Sequence, residues 1–240
     1  MTYQVEDLKI GGLVLPLKYN ERVFKPNPVT RYLGDASNVQ PGSVVFDLGC
    51  GVGPLGVFAG KKGARRVCSS DIMPEACDIA RINVADYGLS NVVEVRQGSL
   101  FEPWNGEKAD LIIDDVAGMA ERLGRKTGAY KFAGIPTGGP RGSDNSLAVI
   151  RQAKSHLNTG GRLLLPVIGL SDYNAIINAA REELGKLRTV LEKQLVLSEA
   201  ETAEAAGVLE ELATEGWIKF EMRGRRCTFP LWIFEYQHPN

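Results

Sequence analysis

Short runs of apolar, β-branched residues alternate with segments of helical periodicity from residue 43 onward. This alternation is typical of a parallel sheet with helices packed on both faces. Strands are predicted at 43–48, 66–70, 92–97, 109–114 and 162–168, and helices at 54–61, 74–87 and 146–157. The residues "NTGG" at 158–161 are expected to end the last of these helices, because Asn and Gly favour helix C-termini.

The pattern changes after residue 168. A helix is predicted at 172–184, a strand at 187–197, an Ala/Glu/Leu-rich helix at 199–215 and an aromatic-rich strand at 227–236. Two late strands separated by a helix-bearing insertion at 199–226 indicate an antiparallel hairpin. The predicted fold class is therefore α/β, with a Rossmann-like, doubly wound, mostly parallel seven-stranded sheet that ends in this hairpin.

Composition and charge narrow the class of protein. The chain has 240 residues, 44% of them hydrophobic, and a formal net charge of −1, which fits one globular domain with additions. A near-neutral charge argues against a large nucleic-acid footprint. The polar N-terminus and the lack of an apolar run of about 18 residues favour a soluble cytoplasmic protein without a membrane partner.

Cysteine and histidine usage gives no metal or disulfide pattern. The four cysteines have no C-x-x-C spacing and there are two histidines. Neither a zinc site nor a disulfide framework is expected, and the thiols are predicted to be reduced and buried. His156 and His238 are predicted to lie at the surface.

The segment "DLGCGVGPLG" follows the first predicted strand of the sheet and contains G-x-G-x-x-G at Gly51, Gly53 and Gly56. A glycine-rich turn here lets a ligand approach backbone N–H groups at the start of the next helix. Asp71 ends the next strand, eighteen residues after Gly53, near the spacing of a carboxylate that holds ribose hydroxyls. Dinucleotide and other nucleoside ligands both fit these features.

Asp47 helps to distinguish a dinucleotide site from a site for another nucleoside ligand. The pattern D-x-G-x-G-x-G resembles motif I of the class I S-adenosylmethionine-dependent methyltransferases, whose cofactor carries an ammonium and no pyrophosphate. Three further segments resemble that family in order, so the resemblance covers about residues 41–170: "SDIMPEACDIARIN", "VRQGSLFEPW" and "LNTGGRLLLPVI".

The resemblance implies S-adenosylmethionine as cofactor and assigns residues to it. The methionine and ribose end is implied for five positions: Asp47, Gly49, Cys50, Gly51 and Gly53. Asp71 would hold the ribose hydroxyls and Ile72 would pack on adenine. Ser99 and Leu100 would meet the adenine edge, although relatives often carry Asp where Ser99 stands.

The fourth-strand segment "DLIIDDVAGMA" resembles the amino-methylating branch, which includes the release-factor glutamine and small-domain methyltransferases. Asp115 falls on the Asn of their D-L-I-V-S-N-P-P-Y motif, and Val-Ala-Gly replaces Pro-Pro-Tyr. Arginine methyltransferases carry an acid at this place. Asp115 or Asp114 is therefore a catalytic candidate that holds an amine and accepts its proton; alternatively, Asp114 caps the loop and Asp115 is solvated.

Two other segments are candidates for contacts near the methyl group. The segment "ERVFKPNPVTRYL" resembles one that precedes motif I in glutamine methyltransferases, which places Thr30 at the cofactor and Tyr19 and Phe24 at the substrate. A purely structural N-terminal hairpin explains it equally well. Residues 116–145 contain seven glycines without periodicity and are predicted to be an active-site loop, with Tyr130 and Arg141 near the substrate.

The domain prediction is a hairpin or cap segment at 1–40 and a methyltransferase domain at 41–240. The predicted function is methylation of nitrogen on a protein or small amine-bearing substrate. An RNA methyltransferase and a cofactor-binding module without catalysis are the alternatives, and a nucleic-acid partner is not expected. A nicotinamide oxidoreductase is disfavoured because no Tyr-x-x-x-Lys or His/Asp hydride-transfer pair is evident.

Overall fold

The computed structural model describes residues 2–131 and 135–239. The chain folds into two compact units. The first unit contains Met1–Asp115, Gln152–Leu165 and Glu235–Asn240, and the second contains Val116–Arg151 and Pro166–Phe234. The predicted boundary at residues 40 and 41 stays a prediction.

The first unit opens with a two-stranded ribbon and a helix. Strands β1 (Gln4–Ile10) and β2 (Leu13–Tyr19) pair antiparallel, and helix α1 (Pro28–Ser37) follows. The Asn27 side chain accepts hydrogen bonds from the Val29 and Thr30 N–H groups at the start of α1. This cap and the proline at the first helical position fix where α1 begins.

The parallel part of the sheet also lies in the first unit. Its elements are β3 (Val44–Leu48), α2 (Pro54–Lys61), β4 (Arg66–Asp71), α3 (Pro74–Asp86), β5 (Val93–Gln97) and β6 (Ala109–Asp114). Strand β3 pairs parallel with both β4 and β6, and β4 pairs parallel with β5. All five residues of β3 are buried, as expected for a central strand covered on both faces.

The second unit has its own core. Its elements include α4 (Glu121–Lys126), most of α5 (Asp144–Ala153), α6 (Tyr173–Glu183), β8 (Leu187–Val196), α7 (Glu199–Thr214) and β9 (Glu221–Arg223). Helix α7 begins with a capping box formed by Ser198 and Glu201. Its apolar face packs in a cluster with Leu123, Leu170 and Phe229.

Strands β7 (Leu157–Ile168) and β10 (Arg226–Gln237) each contribute to both units. The Gly169 N–H donates to the Pro230 carbonyl, whereas the His238 N–H donates to the Gly161 carbonyl, so the two strands run antiparallel. The strand order is β5-β4-β3-β6-β7-β10-β8, with β9 paired to β10, so the described residues form an eight-stranded sheet. The predicted Rossmann-like class is confirmed; the short β9 is additional to the seven expected strands.

Several local predictions need correction. Residues 158–161 belong to β7 and do not end a helix. The pairing steps from Ala109↔Leu157 to Leu111↔Arg162, so β7 carries extra residues there, and Gly160 takes a φ of 74°. Glycine therefore permits a strand irregularity at this place.

Residues 116–145 are not structureless, because they contain α4 and the start of α5. His156 is not a surface residue, since it is only 8% exposed. Its ring stacks on Phe101 with centroids 4.3 Å apart, and Nδ1 lies 3.0 Å from the Glu107 carbonyl oxygen. The short 3-10 helix Lys154–His156 turns this ring inward.

The four cysteines are free and buried, as predicted. Among the described residues, no helix combines the length and the apolar character needed to cross a bilayer.

Candidate cofactor and active site

A glycine loop joins β3 to α2. Gly49, Gly51 and Gly53 have φ angles of 74°, 51° and 85°, a left-handed region that glycine adopts without steric cost. The N–H groups of Gly49 and Cys50 both donate to the Ser70 carbonyl at 2.9 Å. The loop is thus fastened to the end of β4, and helix α2 begins directly after it at Pro54.

The glycines of this loop have different reasons to lack a side chain. A Cβ on Gly53 would lie 3.2 Å from the Ala80 Cβ, and one on Gly56 would lie 2.8 Å from the Ser69 Oγ. These two glycines allow close packing of helix and strand. A Cβ on Gly51 would meet no atom within 4 Å, so open space lies beside the Gly51 backbone, where a ligand can approach.

Asp71 ends β4 and holds the loop. One of its carboxylate oxygens accepts the Gly51 N–H and the other accepts the Met73 N–H, each at 2.9 Å. Burial raises the pKa of Asp71, whereas these backbone bonds lower it. The Ile72 N–H also donates to this carboxylate, so about one of its roughly four lone-pair sites remains for a hydroxyl donor. The next residue, Ile72, is 52% exposed, an apolar surface beside this carboxylate.

Asp47 lies inside β3 and is fully buried. Ser69 Oγ donates to its Oδ2 at 3.3 Å, and Oδ1 has no hydrogen-bond partner among the described residues. Burial, and secondarily the charge of Asp115, raise the pKa of Asp47 to about 7. The side chain of Asp47 is enclosed in β3, and its predicted role at the cofactor stays a prediction.

Asp115 follows β6, and its N–H donates to the Leu48 carbonyl at 3.0 Å. The Thr30 hydroxyl donates to Asp115 Oδ2 at 2.7 Å. Burial raises the pKa of Asp115 to about 6; the Thr30 hydrogen bond opposes this shift and the charge of Asp71 adds to it. Mutual repulsion among Asp47, Asp71 and Asp115 makes this region favourable for a cationic ligand.

The segment after β5 contains a strained residue. Leu100 has a φ of 50°, and Asn38 is the other non-glycine residue with positive φ among the described residues. The Ser70 hydroxyl donates to the Leu100 carbonyl at 2.7 Å. Ser99 is exposed, and its N–H donates to Glu102. Such strain often accompanies functional sites.

Ser70 therefore holds both the glycine loop and the Leu100 turn. Sequence patterns did not reveal this residue, because a serine within a buried strand carries no motif signal.

Three predicted site residues are buried. Asp114 is fully buried at the end of β6, and its catalytic role stays a prediction. Tyr19 is buried in a cluster with Val23, Val52 and Ile79, and its substrate-binding role stays a prediction. Tyr130 is buried in the second unit, where its hydroxyl donates to the Met119 carbonyl and accepts the Met119 N–H. It braces the backbone beside α4.

Phe24 and Arg141 keep some exposed surface. Phe24 is partly buried in the segment before α1. Arg141, in the second unit, lies 3.2 Å from the Asp172 carboxylate and places its guanidinium 4.1 Å from the centroid of the Trp217 ring. The first unit thus brings together the glycine loop, Thr30, Asp71 and Asp115, whereas Tyr130 and Arg141 belong to the second unit.

Comparison with known proteins identifies the class of this region. Residues 28–115 match the family model of the methyltransferase small domain, a range that contains Thr30, the glycine loop, Asp71 and Asp115. The resemblance to class I methyltransferases is thereby confirmed over this region.

Individual relatives are named as protein methyltransferases. The chain is 42% identical over 78 residues to a ribosomal protein L11 methyltransferase of Pelotomaculum thermopropionicum, which covers 32% of this chain and 25% of the relative. It is 31% identical over 151 residues to a release factor glutamine methyltransferase of Cereibacter sphaeroides, which covers 59% of this chain and 52% of the relative. The chain therefore spans a quarter to a half of the length of these relatives.

Solved structures share the fold. A ribosomal protein L11 methylase of Lactobacillus delbrueckii subsp. bulgaricus has a TM-score of 0.56 at 20% identity, covering 90% of this chain and 82% of that one. A 16S rRNA N2 methyltransferase of T. thermophilus, in complex with AdoMet and guanosine, has a TM-score of 0.64 at 14% identity, covering 98% of this chain and 50% of that one.

Proposed function

We propose that this protein is an S-adenosylmethionine-dependent methyltransferase that methylates nitrogen on a protein or small amine-bearing substrate. The observation that carries the proposal is the arrangement of Asp115 within the matched region. It follows the parallel strand next to β3, its oxygen is held by Thr30, and it interacts electrostatically with Asp71, which holds the glycine loop. In open α/β sheets, ligands bind outside the carboxyl ends of such strands.

The first unit offers a fitting surface for the cofactor. The open space beside Gly51 suits the close approach of its methionine and ribose portion. Asp71 keeps acceptor capacity for a ribose hydroxyl, Ile72 presents an apolar surface for adenine, and the Ser99–Leu100 turn would meet the adenine edge. The cofactor carries a sulfonium and an ammonium, and three mutually repelling carboxylates favour such cations.

Asp115 is proposed to orient the substrate nitrogen and to accept its proton. When bound, the cofactor supplies an electrophilic methyl group on sulfur, so the chain needs chiefly to align a nitrogen lone pair with that methyl. Asp115 would hold the amine nitrogen and would accept the proton that this nitrogen loses on methylation. A pKa of about 6 leaves this group ionised at neutral pH yet basic enough to act.

The pairing with Thr30 favours an amine over a carboxamide. An ionised carboxylate only accepts hydrogen bonds, and the one O–H of Thr30 is already donated to Asp115. The pair therefore presents acceptors alone. An amine directs its N–H donors to this pair while its lone pair points to the methyl group, whereas a carboxamide or nucleobase also presents carbonyl or ring-nitrogen acceptors that would remain unpaired.

The test compares Asp115→Asn with the wild-type protein. The probes are radiolabelled cofactor and four acceptors: a lysine peptide, a peptide with a free α-amine, a glutamine peptide and an RNA oligonucleotide. We expect transfer to an amine and a loss of about 100-fold or more in turnover in Asp115→Asn, with a much smaller change in the affinity for S-adenosylhomocysteine, which lacks the sulfonium. Asp78→Asn is the control, because Asp78 is an exposed carboxylate on α3.

Two results would contradict the proposal. Full turnover in Asp115→Asn would remove this carboxylate from the reaction. Methyl transfer to RNA or glutamine alone would exclude the amine class.

A further inference from the structure

Thr30 lies on α1, outside the strands that carry the other site residues. Its side chain is only 3% exposed, and its hydroxyl makes the 2.7 Å hydrogen bond to Asp115 across 85 positions of sequence. The same residue's N–H is capped by Asn27. Asn27 therefore holds the backbone of Thr30, and Asp115 holds its side chain.

Helix α1 is held along its whole length. Near its middle, a Cβ on Gly34 would collide with the Ile10 side chain, so helix and ribbon are in close contact there. At its C-terminal end, Arg162 donates to the carbonyls of Ser37 and Asn38, a favourable place for a cation. Arg162 is itself paired with the buried Glu235 at 2.9 Å. These contacts define the position from which Thr30 reaches Asp115.

We propose that Thr30 is a positioning residue that fixes the Asp115 carboxylate in its reactive orientation, and that cofactor contact is not its main role. The hydroxyl has a single proton, and Asp115 already accepts it. The catalytic meaning of this pair rests on the proposed function of Asp115, whereas the hydrogen bond itself is testable without any substrate.

The charges near Asp115 determine in which direction its pKa should move when the Thr30 hydroxyl is removed. Asp71 from β4 and Asp47 from β3 both interact with it electrostatically, and Asp114 is its chain neighbour. On α1, Arg31 and Asp35 lie within ion-pair distance of each other. Because Thr30 donates to the ionised form, loss of its hydroxyl raises the pKa of Asp115 further.

The experiment is a carboxyl-detected NMR titration of Asp115 in the full chain, with Thr30→Val and Thr30→Ser as variants. Valine has the same shape without the donor, so the midpoint is expected to move upward by about one pH unit; serine should restore it. Thr202→Val is the control, because Thr202 is a buried hydroxyl in the second unit that donates to the Ser198 carbonyl. It should leave the midpoint unchanged.

Activity and binding measurements complete the test. In Thr30→Val, the acidic limb of the kcat/KM profile should move upward with the titration midpoint, while the affinity for S-adenosylhomocysteine stays within about threefold. An unchanged titration midpoint in Thr30→Val would overturn the positioning role, whether or not the affinity for S-adenosylhomocysteine falls tenfold. Failure of the wild-type protein to bind S-adenosylhomocysteine would instead refute the proposed function. The titration would still show whether the Thr30 hydroxyl donates to Asp115.

Discussion

Buried carboxylates affect the folding free energy of this protein. Asp47 is enclosed within β3, with Ser69 as its side-chain donor and one oxygen without a partner among the described residues. Burying a charge in this way opposes folding. A cation bound nearby would offset part of that cost, which gives a physical reason for an acid at this position.

Asp47→Asn should stabilise the protein most at alkaline pH. The pKa of Asp47 rises on folding from 3.8 to about 7, so the folded state binds more protons between these values. The stabilising contribution of the protonated group is present below about pH 4 and is lost as the pH rises through about 7. Urea unfolding at pH 4.5 and pH 8 should show a larger gain in the free energy of unfolding for Asp47→Asn at pH 8.

The matched control for this prediction is Asp78→Asn, at an exposed carboxylate. An equal effect of Asp47→Asn at both pH values would show that Asp47 titrates normally in the folded protein.

Residue spacing predicted part of the site. Gly53 follows β3 and Asp71 ends β4, and these two strands pair parallel. The spacing of the two residues along the chain therefore predicts that the acid lies beside the loop. The sequence did not show that Tyr130 and Tyr19 are buried, because an aromatic side chain can face either the interior or a ligand. Only packing distinguishes these cases, and it places both rings inside.

Elements of regular pattern were predicted well, and elements that depend on tertiary contacts were not. Helix α7 was expected at 199–215 and spans Glu199–Thr214, since its cap and composition are local signals. Helix α4 was missed, because it has six residues and depends on packing against α7 within the second unit. The start of β7 was missed because its glycines also fit a helix end.

Two glycines, one within α7 and one just after its C-terminus, should respond in opposite directions to alanine substitution. Gly207 is exposed within the helix and has open space around its Cβ position, so Gly207→Ala should raise the free energy of unfolding by about 0.5–1 kcal/mol. Gly216 has a φ of 79°, so Gly216→Ala should lower it by about 1–2 kcal/mol. Urea unfolding of both variants measures these effects. Equal signs would contradict the assigned helix end.

At the scale of the whole molecule, the predicted fold class is confirmed. The ribbon and α1 belong to the same unit as the glycine loop, whereas residues 116–151 and 166–234 form the second unit. Sequence patterns locate elements along the chain. The set of elements that shares a core depends on contacts between distant segments, such as that between α1 and Asp115.

The central claim is that the glycine loop binds S-adenosylmethionine, and titration calorimetry of the intact chain tests it most directly. S-adenosylhomocysteine and NAD are titrated separately into the same preparation. We expect S-adenosylhomocysteine to bind at one site per chain and NAD to give no binding heat, because buried carboxylates beside the loop favour a cationic ligand and repel a pyrophosphate. Binding of NAD without binding of S-adenosylhomocysteine would contradict the claim.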